Sequence, residues 1–414
     1  MTTRWQWIAR QLLRRIWFRA ALFSIFSVGL ALLAAVVAPF IPYDLSAKIG
    51  ADAVDNILGI LATSMLAVTT FSLTTMVSAF AGASNTITPR ATQLLVQDST
   101  AQNALSTFLG AFLFSIVGIC ALSTGIYGQS GRVILFIGTI LVIAIIVFTL
   151  LRWIEHLSTF GRVGNTIRRV ESVTLSGAKN SKLRLSIHSE GGENPEHAGT
   201  GVVPDKIGYV THIDLSTLEE MAKRTGRPIN VVVAPGAFVT PKRQLAWHEC
   251  EEPEVLAAIR DAFTIEHSRA FDNDPRFGLV VFSEIACRAL SPAENDPGTA
   301  IAVLGAGVRV MAAFLADRDG AAEAEEGLVR LPDLLLSDLL DDLIQPIARD
   351  GAGMVEVAIR LQRSLGEIAA MAPESYGIMA RYATEALTRS AEVMTFAPDI
   401  APVRDVYSRN WGAA

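Results

Sequence analysis

Charge is scarce where this chain is most apolar. Asp, Glu, Lys and Arg make up 18% of its 414 residues, against 51% hydrophobic, and none lies in the interior of the four longest apolar stretches. That absence argues against a pump or carrier built on an intramembrane ion pair. Cysteine is rare as well. Cys120, Cys250 and Cys287 are the three present, too few for a disulfide framework and without metal-ligand spacing, so each is expected to be a small buried hydrophobe. Catalytic signatures are missing: there is no HExxH, no Walker or Rossmann glycine loop and no G-x-S-x-G. His248-Glu249 and His267 lack partners at usable spacing. No catalytic residue, metal or cofactor is expected, and a net charge of −6 gives no reason to expect nucleic acid as a partner.

What is present is hydrocarbon in membrane-length runs. Phe18 to Ile41, Val54 to Ala81, Ala104 to Tyr127 and Val133 to Leu151 are each long enough to cross roughly 30 Å at about 1.5 Å per residue. Four transmembrane helices are expected over residues 18–153, in keeping with a mean hydropathy of +0.38. The first apolar core outruns the h-region of a cleaved signal peptide, so it reads as a retained anchor. Residues 1–153 hold nine Lys/Arg against four Asp/Glu, and the remainder holds 26 against 37. The C-terminal part is therefore acidic and soluble in character.

Orientation follows from the basic residues beside the spans. Arg4, Arg10, Arg14, Arg15 and Arg19 precede the first, and Arg152, Arg162, Arg168 and Arg169 follow the fourth, whereas the opposite loops offer only Lys48 and Arg132. Both termini are expected in the cytoplasm. Residues 1–17 alternate bulky apolar side chains and arginines at helical spacing, with Trp5, Trp7 and Trp17 placed for the headgroup region. That pattern predicts an interfacial amphipathic helix in contact with membrane lipids.

The second span is unlike the others. Thr63, Ser64, Thr69, Thr70, Ser72, Thr74, Thr75 and Ser78 crowd into it, whereas the fourth is apolar all round and suited to lipid. At about 100° per residue Thr63, Thr70, Thr74 and Ser78 share one arc, with Asn85 on the same side. Two readings stay open. The hydroxyls serve as helix-packing glue, bonding to neighbouring helices or to their own i−4 carbonyls, or they line a water-filled path at the centre of an oligomer.

Beyond the spans, residues 154–182 read as a stalk helix continuing from the fourth. Residues 183–250 hold short strands between Pro/Gly turns and suggest a small β-rich, barrel-like subdomain. Its spacing resembles the half-barrel repeats of biotinyl/lipoyl-type domains, but no lysine sits in a carrier-type hairpin. Residues 251–414 read as a helical cytoplasmic domain, with helices over 253–263, 278–289, 299–316, 334–347, 352–370 and 374–394. The fold class expected is thus a mainly α membrane protein with four N-terminal transmembrane helices, a barrel-like subdomain and a helical cytoplasmic domain.

The most distinctive local sequence is Phe271-Asp-Asn-Asp-Pro-Arg-Phe-Gly-Leu, followed by Arg288-Ala-Leu-Ser-Pro-Ala-Glu-Asn-Asp-Pro-Gly-Thr-Ala. Ser291-Pro292 stops one helix, Asn295 and Asp296 suit turn and cap bonding, and Pro297 starts the next. Arg288, Ser291, Asn295 and Asp296 are either this turn or a ligand contact at a helix N-terminus. That string, the hydroxyl-rich second span ending near Pro89-Arg90-Ala, and the Pro235-Gly-Ala-Phe-Val turn resemble the DUF2254 family of predicted bacterial membrane proteins. Glu294 departs from the apolar residue usual there. The resemblance implies a multi-pass protein of the bacterial inner membrane and no activity. Two functions fit: a homo-oligomeric, channel-like protein regulated by its cytoplasmic domain, or a non-conducting membrane-anchored scaffold or sensor, with ligand or ion unknown.

Overall fold

The computed structural model describes residues 18, 21–26, 28–29 and 51–412, apart from 97, 125–128, 160, 188–198 and 322–326. Most of the first expected span and the whole interfacial helix of 1–17 lie outside the described residues; of that span, 18, 21–26 and 28–29 are helical. The rest divides into two compact units. One holds the membrane-type helices through Arg162, and the other holds Val163 onward together with Thr86–Ala91.

In the first unit α1 (Ala51–Thr86), α3 (Ser99–Ser123) and α4 (Gln129–Thr159) are long apolar helices, and α2 (Pro89–Val96) interrupts the loop expected between the second and third spans. Val54–Gly82, Ser99–Ser123 and Val133–Thr159 are each long and apolar enough to cross a membrane. Backbone groups in hydrocarbon must bond within their own segment, which a helix achieves. The shared core is built from Leu58, Leu61, Met65, Met76, Phe108, Phe114, Leu135 and Trp153. Helix α4 turns Ile137, Ile140, Leu141, Val147 and Phe148 outward, as a lipid-facing helix does. Cys120 is exposed on α3, and Cys250 and Cys287 are only half-buried. The expectation of three buried cysteines is not met.

The stalk expected to continue α4 is interrupted. Helix α4 stops at Thr159 and α5 (Val163–Asn180) starts anew, with Gly161 between them at φ +77°, a conformation glycine adopts without strain. Helix α5 belongs to the second unit and packs on α8 (Phe277–Ala289) and α9 (Pro297–Ala321). The remaining helices of this bundle are α10 (Leu336–Asp350), α11 (Val355–Met371), α12 (Tyr376–Val393) and α13 (Ala397–Trp411), the last unforeseen because Pro398 and Pro402 interrupt its pattern. Residues 297–316 of α9 are also long and apolar enough to span a membrane. Their packing against α5, α8 and α11 makes α9 a core helix of the bundle, which accounts for that composition.

The strands are β1 (Leu185–Ser186), β2 (Thr200–Val202), β3 (Gly208–Ile213), β4 (Ile229–Val231), β5 (Phe238–Val239), β6 (Ala246–His248), β7 (Phe263–Glu266), β8 (Val329–Arg330) and β9 (Leu334–Leu335). They form sheets in the orders β1-β9, β2-β6-β4-β8 and β5-β3-β7. Among the described residues no closed barrel forms, so the barrel-like expectation is not met. The sheets instead draw β7, β8 and β9 from beyond residue 250, segments of two to four residues whose pairing the local sequence does not signal. Helix α6 (Leu215–Thr225), capped by Asp214 and ended by Gly226 in the left-handed region, and α7 (Pro253–Asp261) close over Val210, Ile213, Val231, Leu245 and Phe263.

Helices α5 and α8 touch at Gly278, where a Cβ would overlap Thr174 Oγ1 and lie 2.7 Å from its Cβ. Gly278→Ala is expected to cost about 1–3 kcal/mol, read as a lower thermal midpoint of the full chain in detergent. An unchanged midpoint would show that this contact is not closely packed.

Candidate functional site

Helix α1 packs through one face. Val54, Leu58, Met65, Ser72 and Met76 are buried, and at about 100° per residue they point close to one direction. Thr63, Thr70, Thr74 and Ser78 point the opposite way, and all four are exposed. The side chain of Asn85 lies outside the described residues. The hydroxyls meet their donor requirement inside the helix: Thr63 Oγ1 donates to Gly59 O (3.0 Å), Thr70 to Leu66 O (2.9 Å) and Thr74 to Thr70 O (3.0 Å). Ser64, Thr69 and Thr75 donate in the same manner. The bonds use the one hydrogen of each group and leave oxygen lone pairs turned outward. Within one chain, then, the bonds found for the stripe run to the helix's own carbonyls.

The 288–300 string resolves into a tight connection between α8 and α9. Asp296 N donates to Ala289 O (2.8 Å), and Ser291 O accepts from Glu294 N and Asn295 N. Asn295 takes φ +49°, which asparagine tolerates better than most residues. Asp296 caps α9, accepting from Thr299 N (3.1 Å) and Thr299 Oγ1 (2.6 Å). The Thr299 hydroxyl and backbone N–H hold its carboxyl below the usual carboxylate range. Arg288 closes α8, half-buried, and among the described residues no hydrogen bond joins it to Asn295 or Asp296. The four residues lie in or beside this turn.

A polar cluster absent from the sequence reading lies just upstream. Asp274 is buried and accepts from Arg269 Nε (2.7 Å) and Nη2 (3.0 Å) and from the backbone N–H of Arg276 and Phe277 (both 3.1 Å). Burial pushes its carboxyl up, and those four donors oppose the shift. Gly236, at φ +91°, lies so close that a Cβ there would overlap Asp274 Oδ2. Arg276 forks onto Asp342 (2.6 and 3.1 Å) and reaches Asp338 (2.7 Å), while Asn273 Nδ2 donates to Thr211 O (3.2 Å). One segment thereby joins β3, the 235–236 turn, α8 and α10. Two sequence signals were available: Asp274-Pro275 ahead of an apolar helix, and Asp338 and Asp342 one helical turn apart on the polar side of an amphipathic helix.

At Cys287, burial, aided by Asp350, pushes the thiol up to about 12. Just after the second span, Thr88 Oγ1 caps α2 by accepting from Ala91 N (3.2 Å), and Arg90 pairs with Glu284 of α8. Among the described residues no three His, Cys, Asp or Glu side chains are grouped to hold a metal.

The long apolar helices define a membrane protein. The chain belongs to the DUF2254 family of predicted membrane proteins, whose model matches residues 14–367. It is similar to uncharacterised proteins of Mycobacterium bovis and Mycobacterium tuberculosis, 25% identical over 235 residues, which cover 54% of this chain and 45% of each relative. The matched region spans less than half the length of those relatives. No solved structure matches.

Removing Arg269 strands a buried carboxylate, so Arg269→Ala is expected to cost about 3–5 kcal/mol, whereas Arg409→Ala, which breaks an exposed i,i+4 pair, costs less than about 1 kcal/mol. Equal thermal midpoints of the two variants would overturn this ranking. Asp296→Ala is expected to cost about 0.5–2 kcal/mol at neutral pH. The folded carboxyl titrates lower than the unfolded one, so its contribution is complete above about pH 4 and is lost as pH falls through the folded value. Urea midpoints of wild type and variant should converge in acid; a gap that does not change with pH would refute the cap.

Proposed function

We propose that the chain is a homo-oligomeric, channel-like protein of the bacterial inner membrane, with both termini and the acidic helical unit on the cytoplasmic side as its regulatory part. The observation that carries this reading is the place of the hydroxyl stripe, on the face of α1 opposite the one that packs. In hydrocarbon such a face has no use for hydroxyls; around a symmetry axis their outward lone pairs would accept from water or touch a small cation. The arginines flanking the first and fourth spans support the orientation.

A non-conducting scaffold or sensor is favoured by a different observation. Every bonded hydroxyl on α1 is already served by its own helix, so the stripe demands neither water nor a second chain. Potassium and water flux in proteoliposomes separates the two readings. Thr70→Leu and Thr74→Leu are each expected to lower flux roughly tenfold, the factor for a barrier raised by about 1.4 kcal/mol, in a protein that runs as an oligomer. Flux equal to empty liposomes, or unchanged in both variants, would leave the scaffold reading.

A further inference from the structure

The fourth span was expected to end at Leu151, with His156 beyond it. Helix α4 in fact runs to Thr159 within one apolar helix, which carries His156 to the level where α3 begins. Asp98 caps α3, its Oδ1 accepting from Ala101 N (2.8 Å), and the same oxygen lies 3.2 Å from His156 Nε2, the two side chains 5% and 15% exposed. Gln102 and Ser106 follow Asp98 at intervals of four on the same face of α3, both buried.

Among the described residues Trp153 Nε1 is a buried polar atom with no hydrogen bond. The Trp153 ring lies against the His156 imidazole, with centroids 5.8 Å apart. Arg152, Glu155 and Arg162 stand nearby on or after α4, and all three are exposed. The titratable side chains whose contact across α3 and α4 is described are Asp98 and His156. A packing contact here would be made more cheaply by apolar side chains, and an ionisable pair kept inside a membrane unit marks a functional site.

We propose that Asp98 and His156 form a proton-binding site inside the membrane unit, independent of any path along α1. A proton from water adds to the neutral imidazole, which becomes a cation, and the contact with Asp98 becomes an ion pair; no other bond changes. Proton uptake draws α3 and α4 together at this end by turning the 3.2 Å approach into a charge-assisted hydrogen bond. The idea reverses the expectation that no titratable group acts within the spans.

The test uses the full chain in lipid nanodiscs and the emission of Trp153, taken as wild type minus Trp153→Phe, between about pH 8 and 5. A cationic imidazole against the indole quenches it, so emission is expected to fall as pH drops. His156→Gln should abolish the fall. Asp98→Ser, which keeps a capping side chain and removes the charge, should lessen the fall at a given pH by about half or more. Flat emission in wild type, or the same fall in His156→Gln, would overturn the proposal. An undiminished fall in a folded Asp98→Ser protein would overturn the pairing.

Discussion

A polar group shut away from water has to find its partner inside the protein, and this requirement governs both units. In the membrane unit it selects helices, because only they satisfy every backbone group within one segment. It then acts on side chains of α1, where Thr69, Thr70 and Thr74 turn their hydroxyls back to carbonyls one turn earlier. Such bonds contribute little to stability and free the helix from needing a polar neighbour. The stripe can therefore stand on the outer face of the chain, where its lone pairs are available to whatever covers it.

The same requirement organises the second unit around Asp274. A buried carboxylate is costly unless its lone pairs are filled, and here one arginine and two backbone groups fill them. The donors come from the chain just before and just after it, so the segment folds back on itself and α8 starts at a fixed point. Arg276 then extends the arrangement to Asp338 and Asp342, and Gly236 admits the neighbouring turn because it has no side chain. Sheets and helices are joined through this hub and not only through the apolar cores on either side.

Much of the local structure was legible in the sequence. Apolar length marked the long helices, Asp214 and Gly226 marked both ends of α6, and Asp296-Pro297 marked the start of α9. Other features were not legible. Strands β7, β8 and β9 exist because distant partners bond to them, and two to four residues carry no period of their own. The break at Gly161 escaped notice because apolar spacing resumes at once in α5. His156 was placed outside the fourth span because hydropathy falls before the helix ends.

The sequence by itself determined that this is a membrane protein of the DUF2254 family, since the free energy of moving long apolar runs out of water depends on composition and length alone. It also determined that hydroxyls lie together on one arc of α1. Only the tertiary structure decided which way that arc faces, which carboxylates meet which arginines, and that Asp98 and His156 share a buried corner. Those outcomes rest on contacts between residues tens to hundreds of positions apart, whose distances follow from packing and not from any local pattern.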